Sequence, residues 1–213
     1  MKNNITEIVF ILDRSGSMEG MEKDTVGGFN SFIAKQKEEE GTAYVSTVLF
    51  SSRSEVLHDR KNLENIEPMT EKDYQTYGTT ALLDAIGDAI HHIGNVHKYA
   101  RKEDVPSRTV FIITTDGMEN SSRKYNAGQI KEMIRRQEEK YGWEFIFLAD
   151  NIDAVETAEH IGIRKERAAN YDVSKDTKMM FSEVSRLVGS YRTKDFIDDN
   201  WADNLKKSKN KTK

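Results

Sequence analysis

The chain has 213 residues, of which 37% are hydrophobic and 32% charged, and its net charge is −4 at neutral pH. This length suits one domain with a short appendage. Because the sequence contains no cysteine, disulfides, thiolate zinc sites and a cysteine nucleophile are excluded. The last 13 residues hold five lysines and one aspartate, which leaves 27 basic and 35 acidic residues in the remaining 200. An acidic body argues against nucleic-acid binding, and we interpret the basic terminus as a frayed, solubilising tail.

No targeting or membrane segment is visible in the sequence. The longest apolar run near the N terminus, residues 8–12, is followed directly by Asp13 and Arg14. A secretory signal needs about 7–15 apolar residues, and a membrane helix needs about 20. The sequence therefore predicts a soluble, cytoplasmic protein without a membrane partner, and we expect a monomer.

Strand and helix patterns alternate along the chain. Short runs of β-branched and aromatic residues predict strands, and apolar residues at helical spacing predict helices. Such an alternation, with strands that are apolar on both faces, is typical of an α/β domain with a mostly parallel sheet. The predicted strands are residues 5–12, 43–50, 55–58, 108–114, 143–148 and 168–173; the predicted helices are 21–40, 81–93, 127–140, 155–161 and 177–191; residues 60–75 are a predicted loop. We assign residues 1–195 to the domain and 196–213 to a polar, basic tail.

Three loops of this predicted fold combine glycine with small oxygen-bearing side chains. They are residues 13–18, 77–80 and 114–120, and two of them place an aspartate directly after a buried strand. In open parallel sheets, ligands bind at the carboxyl ends of the strands, where the strand order reverses. The sequence therefore predicts that the functional site is built from these three loops.

The first loop has the pattern of a hard-cation site. Asp13, Ser15 and Ser17 alternate, so their side chains can point to one position, while Gly16 allows a tight backbone turn. Carboxylates and hydroxyls are hard oxygen donors, which suit Mg²⁺ or Mn²⁺ better than Zn²⁺. A looser arrangement of the same donors would admit Ca²⁺.

The three loops together resemble a known family. Asp13-x-Ser15-x-Ser17 after an apolar strand is similar to the metal-ion-dependent adhesion site of von Willebrand factor A domains. The segment Gly78-Thr79-Thr80-Ala81-Leu82 resembles the family's Gly-Gly-Thr-x-Leu, with Thr79 replacing the second glycine. Asp116, in Thr115-Asp116-Gly117, matches the aspartate of the family's third loop. The motifs occur in the family's order, and the resemblance covers roughly residues 5–190.

The resemblance implies a fold, a metal and a partner. The fold is a Rossmann-like, mostly parallel sheet with one antiparallel edge strand and helices on both faces. The metal is Mg²⁺, or else Mn²⁺ or Ca²⁺, with Ser15, Ser17 and Thr80 as direct ligands and with Asp13 and Asp116 often acting through water. The open position accepts a carboxylate from a protein partner. The resemblance thus implies a non-enzymatic interaction module, of the intracellular bacterial or phage type.

Each singled-out residue also has a purely structural interpretation. The first loop and the two threonines could cap helices, and Asp116 could belong to an Asp-Gly turn. Arg14 either attracts an acidic partner or faces solvent. On the helix after Gly78, Asp84, Asp88 and His92 lie one turn apart, and we interpret them as a solvated face. We interpret Asp150, after strand 143–148, as a loop residue.

A further hypothesis concerns the rim of the predicted site. Met18, Tyr77 and Met118 each adjoin one of the three loops. We expect them to form an apolar collar on which a partner docks, provided that they are exposed.

Two other classes of function stay open at this point. A nucleotide- or flavin-binding protein is suggested by the glycine and serines after the first strand, although neither Gly-x-x-x-x-Gly-Lys nor Gly-x-Gly-x-x-Gly occurs. A metal-dependent phosphohydrolase could use Asp13 as nucleophile, although Ser15 stands where a second acid would be expected. None of the five histidines falls in the three loops, so the base that metal-assisted hydrolysis needs is not apparent.

Overall fold

A computed structural model describes residues 3–150 and 152–205 of the chain. Within these residues the chain alternates between strands and helices, as the sequence predicts, and none of the helices is long and apolar enough to cross a membrane. The strands are Ile5–Asp13 (β1), Thr42–Phe50 (β2), Ser54–Asn62 (β3), Arg108–Thr115 (β4), Glu144–Ala149 (β5) and Ala168–Asn170 (β6). The α-helices are Glu22–Lys37 (α1), Leu82–Tyr99 (α2), Ala127–Tyr141 (α3), Ala154–His160 (α4) and Val173–Lys194 (α5).

The strands form one sheet in the order β3-β2-β1-β4-β5-β6. Neighbouring strands are parallel except β3, which runs antiparallel to β2 at the edge. The predicted fold class, with its single antiparallel edge strand, is therefore confirmed. From β1 the chain first builds outward through β2 and later continues on the other side through β4, so the strand order reverses between β1 and β4. A crevice at the carboxyl ends of these two strands is the place where this topology accommodates a ligand.

Both faces of the sheet are covered by helices. In β1, Ile8, Phe10 and Leu12 pack in the core beneath α1 and α5, whereas Val9 and Ile11 pack in the core beneath α2, α3 and α4. All five side chains are fully buried. Two covered faces explain why this strand is a continuous apolar run and not an alternating one.

The edge strand and the last helix extend further than the sequence predicts. Strand β3 continues to Asn62, so residues 60–62 belong to a strand and not to the predicted loop. This strand packs only weakly on the core, so its side chains are polar and largely exposed. The sequence therefore lacks the apolar pattern that indicates a strand. Helix α5 begins at Val173, where Asp172 caps it by accepting a hydrogen bond from the Ser174 amide (3.0 Å). This cap ends β6 earlier than predicted and lengthens the helix.

The segment after α5 packs on the domain and differs from the predicted tail. The Trp201 indole donates a hydrogen bond to the Glu166 carbonyl (2.9 Å), and Asp199 pairs with Arg167 (2.7 Å). The lysines that suggested a frayed terminus lie at residues 206–213, outside the described residues. The packed body therefore extends beyond residue 195 because four apolar side chains of this segment are buried in the core: Ile197, Trp201, Ala202 and Leu205.

Candidate metal centre

The centre of the site is the Asp13 carboxylate at the end of β1. It is 1% exposed and has a bonded partner on each oxygen. Its Oδ1 accepts a hydrogen bond from the Ser15 amide (2.7 Å), and its Oδ2 accepts one from the Thr115 hydroxyl at the end of β4 (2.6 Å). The buried Tyr74 hydroxyl donates to the Asp13 carbonyl. Two adjacent strand ends and one loop therefore fix the orientation of this carboxylate.

Hydrogen bonds connect the first loop to the third. The hydroxyls of Ser15 and Ser17 lie 3.1 Å apart, and the Ser17 hydroxyl donates to Asp116 Oδ1 (2.7 Å). The site therefore brings Asp13, Ser15, Ser17 and Asp116 together, although the last of them lies 99 residues beyond its bonding partner.

Thr80 reaches the same position from the second loop. A Cβ atom built on Gly117 would lie 3.7 Å from Thr80 Oγ1 and 3.8 Å from Ser17 Oγ. The two hydroxyls thus face one small space that the absent side chain of Gly117 leaves open. The Asn120 side chain and backbone bind the N–H and C=O of Thr80 (2.9 and 3.1 Å), whereas its hydroxyl has no hydrogen-bond partner among residues 3–150 and 152–205.

The second and third loops are fastened together by Glu119. One carboxylate oxygen accepts hydrogen bonds from the Leu83 amide (3.0 Å) and the Ser122 hydroxyl (2.7 Å). The other accepts from the amides of Ser121 (2.8 Å) and Ser122 (2.7 Å). The third loop is therefore tied to the start of α2, and the arrangement of Thr80 relative to Asp116 follows from this connection.

The capping alternatives do not describe these loops. Helix α2 has no side-chain cap at its N-cap residue Ala81. Its free amides are bound instead by Glu119 and by Ser122, whose hydroxyl accepts from the Asp84 amide (3.0 Å). The two threonines are thus not needed as caps. In the first loop, Asp13 stabilises a local turn through the Ser15 amide, and neither serine hydroxyl takes part in this contact.

The two carboxyl groups of the site carry perturbed pKa values. Burial raises the pKa of Asp13, and the hydrogen bonds from Thr115 and Ser15 partly oppose this effect. Burial also raises the pKa of Asp116; the hydrogen bond from Ser17 lowers it, while the negative charges of Asp13 and Asp150 raise it further. Both effects disfavour two adjacent anions, and a bound cation would reverse this preference.

The donor set fits a hard divalent cation. It consists of two carboxylates and three hydroxyls on a loop system with little freedom, and such oxygen ligands suit Mg²⁺ or Mn²⁺. In the described part of the chain, no three His, Cys, Asp or Glu side chains are grouped as a metal site. A site here therefore depends on hydroxyl ligands in addition to Asp13 and Asp116.

The polar face of α2 has a structural role. Asp84 accepts hydrogen bonds from the amides of residues 123–125 (2.9–3.0 Å), and Asp88 pairs with Lys124 (2.5 Å). His92 contacts Asp59 of the edge strand (2.7 Å). These contacts connect α2 to residues 123–125 and to β3, so we assign the three residues a structural role and not a second centre.

Asp150 lies nearer to the site than a loop assignment suggests. Its carboxylate accepts a hydrogen bond from the Val173 amide (3.1 Å) at the start of α5, and its charge raises the pKa of Asp116. It therefore acts on the site electrostatically.

The predicted apolar collar is only partly correct. Met18 is 3% exposed and packs in the core, so its assignment to the rim was wrong. Met118 and Tyr77 are 72% and 48% exposed. A position beside a predicted site loop does not indicate exposure, which explains the error at Met18.

Sequence reading missed four residues that shape the site. Thr115 and Tyr74 orient Asp13, whereas Glu119 and Asn120 fasten the second and third loops. Thr115, Glu119 and Asn120 are polar residues of the third loop, residues 114–120, and their place in that loop is a signal that could have found them. Tyr74 carried no such signal, since it lies in a polar loop far from Asp13 in sequence.

The chain belongs to the von Willebrand factor type A domain family. The model of that family matches residues 7–184, which is most of the chain. The position of the site at the reversal of strand order and the order of its three loops agree with this assignment. Domains of this family are generally protein-interaction modules. No curated protein matches the sequence.

Solved structures share the fold at low sequence identity. Proximal thread matrix protein 1 from the mussel byssus is 14% identical, with a TM-score of 0.59 over 89% of this chain and 47% of that one. A von Willebrand factor type A protein from Catenulispora acidiphila is 14% identical, with a TM-score of 0.57 over 89% and 43%. The von Willebrand factor domain of a type V pili tip protein from Porphyromonas gingivalis is 10% identical, with a TM-score of 0.63 over 91% and 98%. The chain thus spans less than half of the mussel and Catenulispora proteins.

Proposed function

We propose that this protein is a Mg²⁺-dependent interaction module that binds an acidic side chain of a partner protein. The observation that carries the proposal is the small space beside Gly117, on which hydroxyls from two different loops converge next to two buried carboxylates. Domains of this family generally act in protein interactions, which favours recognition over turnover. The cytoplasmic location and the monomeric state stay predictions of the sequence.

The residues of the site would divide the work of holding the cation. Ser15, Ser17 and Thr80 offer neutral hydroxyl oxygens, while Asp13 and Asp116 supply two negative charges. These two charges balance Mg²⁺ and leave it an electrophile toward an additional carboxylate. The hydrogen bonds to Asp13 keep its carboxylate in one orientation before any partner arrives. The fixed geometry lowers the ordering cost of binding.

The carboxylate of Glu119 bears on the hydrolase alternative. It is the additional acid in the three loops, and a phosphohydrolase would need a general base near the metal. Both of its oxygens already accept two hydrogen bonds each from Leu83, Ser121 and Ser122. Its engagement favours a recognition role for the site.

Two substitutions test the metal site without disturbing its supports. Thr80→Val removes a hydroxyl that has no partner in the described structure and keeps the shape of the side chain. Gly117→Ala places a methyl group at ordinary contact distance from two hydroxyls, in the space proposed for the cation. We expect each change to weaken Mg²⁺ binding at least about tenfold, because even substitutions of groups that only support the ligands typically cost about 10–100-fold in affinity. Titration calorimetry with Mg²⁺ measures this effect.

The partner is sought by affinity capture from the host lysate, with Mg²⁺ and with a chelator. A protein retained by the wild type with Mg²⁺, and lost with the chelator or with Thr80→Val, is the expected result. Thr79→Val is the matched control, because the Thr79 hydroxyl bonds Ser52 and Ser121 outside the cluster (2.9 Å each). If Thr80→Val and Gly117→Ala bind Mg²⁺ as the wild type does, the metal-site proposal is wrong.

A further inference from the structure

The side chain of Arg14, between Asp13 and Ser15 in the first loop, is held beneath the surface. Its backbone N–H donates to the Phe50 carbonyl (2.8 Å), and its carbonyl accepts from the Tyr77 amide (2.9 Å). These bonds fix the direction of the side chain, which is 5% exposed. Arg14 therefore does not face solvent, which was one of the two roles that the sequence suggested for it. A buried guanidinium is costly unless its donors are satisfied.

The hydrogen bonds of Arg14 are incomplete. Its Nη2 donates to Glu55 (2.6 Å) and to the Tyr77 hydroxyl (3.0 Å), and its guanidinium carbon lies 4.9 Å from the centre of the Tyr77 ring. Its Nε is buried and has no hydrogen-bond partner in the described chain. Nε and Nη2 lie on the same edge of a guanidinium, and a carboxylate can accept from both at once. Glu55 uses only half of this edge.

The groups that cover Arg14 are themselves exposed. The side chain of Glu55 is 61% exposed and Tyr77 is 48% exposed, whereas Arg14 is buried. An ion pair whose acid lies in water contributes little to stability, because water screens it and the acid loses side-chain freedom. Glu55 can therefore exchange with another carboxylate at small cost. Because Nε is buried, a carboxylate that also reaches Nε requires a neighbouring group to move.

We propose that Arg14 is a second carboxylate-binding position of the interaction surface, and that Glu55 occupies it until a partner arrives. The partner then presents two acidic residues. One reaches the oxygen cluster of Ser17, Thr80 and Asp116, and this part rests on the proposed function. The other displaces Glu55 and accepts from Nε and Nη2 of Arg14. Glu55 itself identifies the chemistry, since a carboxylate already sits on this position.

Short labelled peptides test the second position directly. The probes carry either one aspartate or two aspartates separated by zero to four glycines, and fluorescence anisotropy with saturating Mg²⁺ measures their affinities. We expect the wild type to prefer one two-aspartate spacing. Glu55→Gln should tighten that peptide about twofold to fivefold, because it removes the competing carboxylate, whose pair with Arg14 is screened on the exposed Glu55 side. Affinity for the one-aspartate peptide should not change.

Substitutions of Arg14 complete the test. Arg14→Gln should reduce the affinity for the two-aspartate peptide to that for the one-aspartate peptide. Arg14→Lys keeps the charge without the planar fork and should recover only part of the preference. Thermal unfolding of each variant checks that the fold persists; should Arg14→Gln unfold, Arg14→Lys and Glu55→Gln still decide.

Several results would overturn the second position. These are an unchanged preference in Arg14→Lys, no effect of Glu55→Gln, or no binding of any peptide to the wild type or Glu55→Gln at millimolar concentration. An Arg14-dependent gain from phosphoserine and none from a second aspartate would overturn the assignment to a carboxylate. The proposed function fails separately: binding of the one-aspartate peptide would then be independent of Mg²⁺ and of Thr80.

Discussion

At the scale of single residues, the buried carboxyl group of Asp116 links the stability of the fold to pH. The neutral form of its carboxyl group is favoured by burial and by the charges of Asp13 and Asp150, and its pKa is therefore raised above 3.8. A raised pKa means that the folded state retains a proton that the unfolded state loses. Without metal, the stability contribution of Asp116 is present at low pH and is lost as pH rises through the raised pKa. If the proposed function holds, protons and Mg²⁺ compete for this group.

Asp116→Asn separates these two effects. In a chelator at pH 7, we expect the variant to unfold at a higher temperature than the wild type, with the difference shrinking as pH falls toward 3.8. Mg²⁺ at 100 times its Kd should stabilise the wild type by about 2.7 kcal/mol, or roughly 5–10 °C for a chain of this size. The variant should show no such shift. Calorimetric melting across pH measures both.

Asp24→Asn is the control for this experiment. Asp24 is a partly exposed residue on α1 whose side chain pairs only loosely with Lys178 (3.5 Å). Its substitution should leave the Mg²⁺ response and its pH dependence unchanged. A Mg²⁺ shift of wild-type size in Asp116→Asn would show that the cation binds elsewhere.

At the scale of elements, the contact between α1 and α5 depends on one glycine. Gly28 is buried against the ring of Phe181 on α5, and any Cβ atom at this position would overlap that ring. Gly27, one residue earlier, has no atom within 4 Å of the corresponding position. The two adjacent glycines of the same helix therefore differ only in what they face.

Substitution of these glycines by alanine should have opposite effects. Gly28→Ala should lower the free energy of unfolding by about 1–3 kcal/mol through overpacking. Gly27→Ala should raise it by about 0.5–1 kcal/mol, because alanine restricts the unfolded chain. Urea denaturation compares them. The double variant Gly28→Ala with Phe181→Leu should lose less stability than the two single variants lose in sum, because the smaller side chain relieves the overlap. A loss equal to that sum would contradict the overlap.

At the scale of the whole molecule, the segment after α5 completes the core on the α1–α5 face. Trp201 is 2% exposed there, whereas Phe196, five residues earlier, is 59% exposed. The Trp201 carbonyl accepts a hydrogen bond from Arg186 of α5 (2.9 Å), which anchors the segment along that helix. The domain therefore depends on residues beyond its last regular helix.

Trp201→Ala should reveal this dependence. Its removal should lower the free energy of unfolding by about 3–5 kcal/mol, as for other buried aromatic residues. Phe196→Ala, in the same segment, should change it by less than about 0.5 kcal/mol. Chemical denaturation followed by circular dichroism measures both variants. Equal small effects would mean that the segment adds nothing to stability.

Sequence alone determined the alternation of elements and predicted five residues of the candidate site. Buried strands such as residues 108–114 are visible because both faces of a covered sheet select apolar residues. Asp13 and Asp116 are visible because each directly follows such a strand, and parallel strands end at the same edge. The apolar strands and the aspartates that follow them are local signals in the sequence. The rule that parallel strands end at the same edge of a sheet then predicts that the aspartates lie close together.

Only the tertiary structure decided which side chains meet and which are covered. The burial of Met18, the cover of Glu55 over Arg14, the space beside Gly117 and the docking of Trp201 all depend on contacts between segments distant in sequence. Periodicity reports which face of an element is apolar, but it does not report what lies opposite that face. A hydrogen bond or a cavity is formed by two segments together, so the sequence pattern of either segment alone does not reveal it.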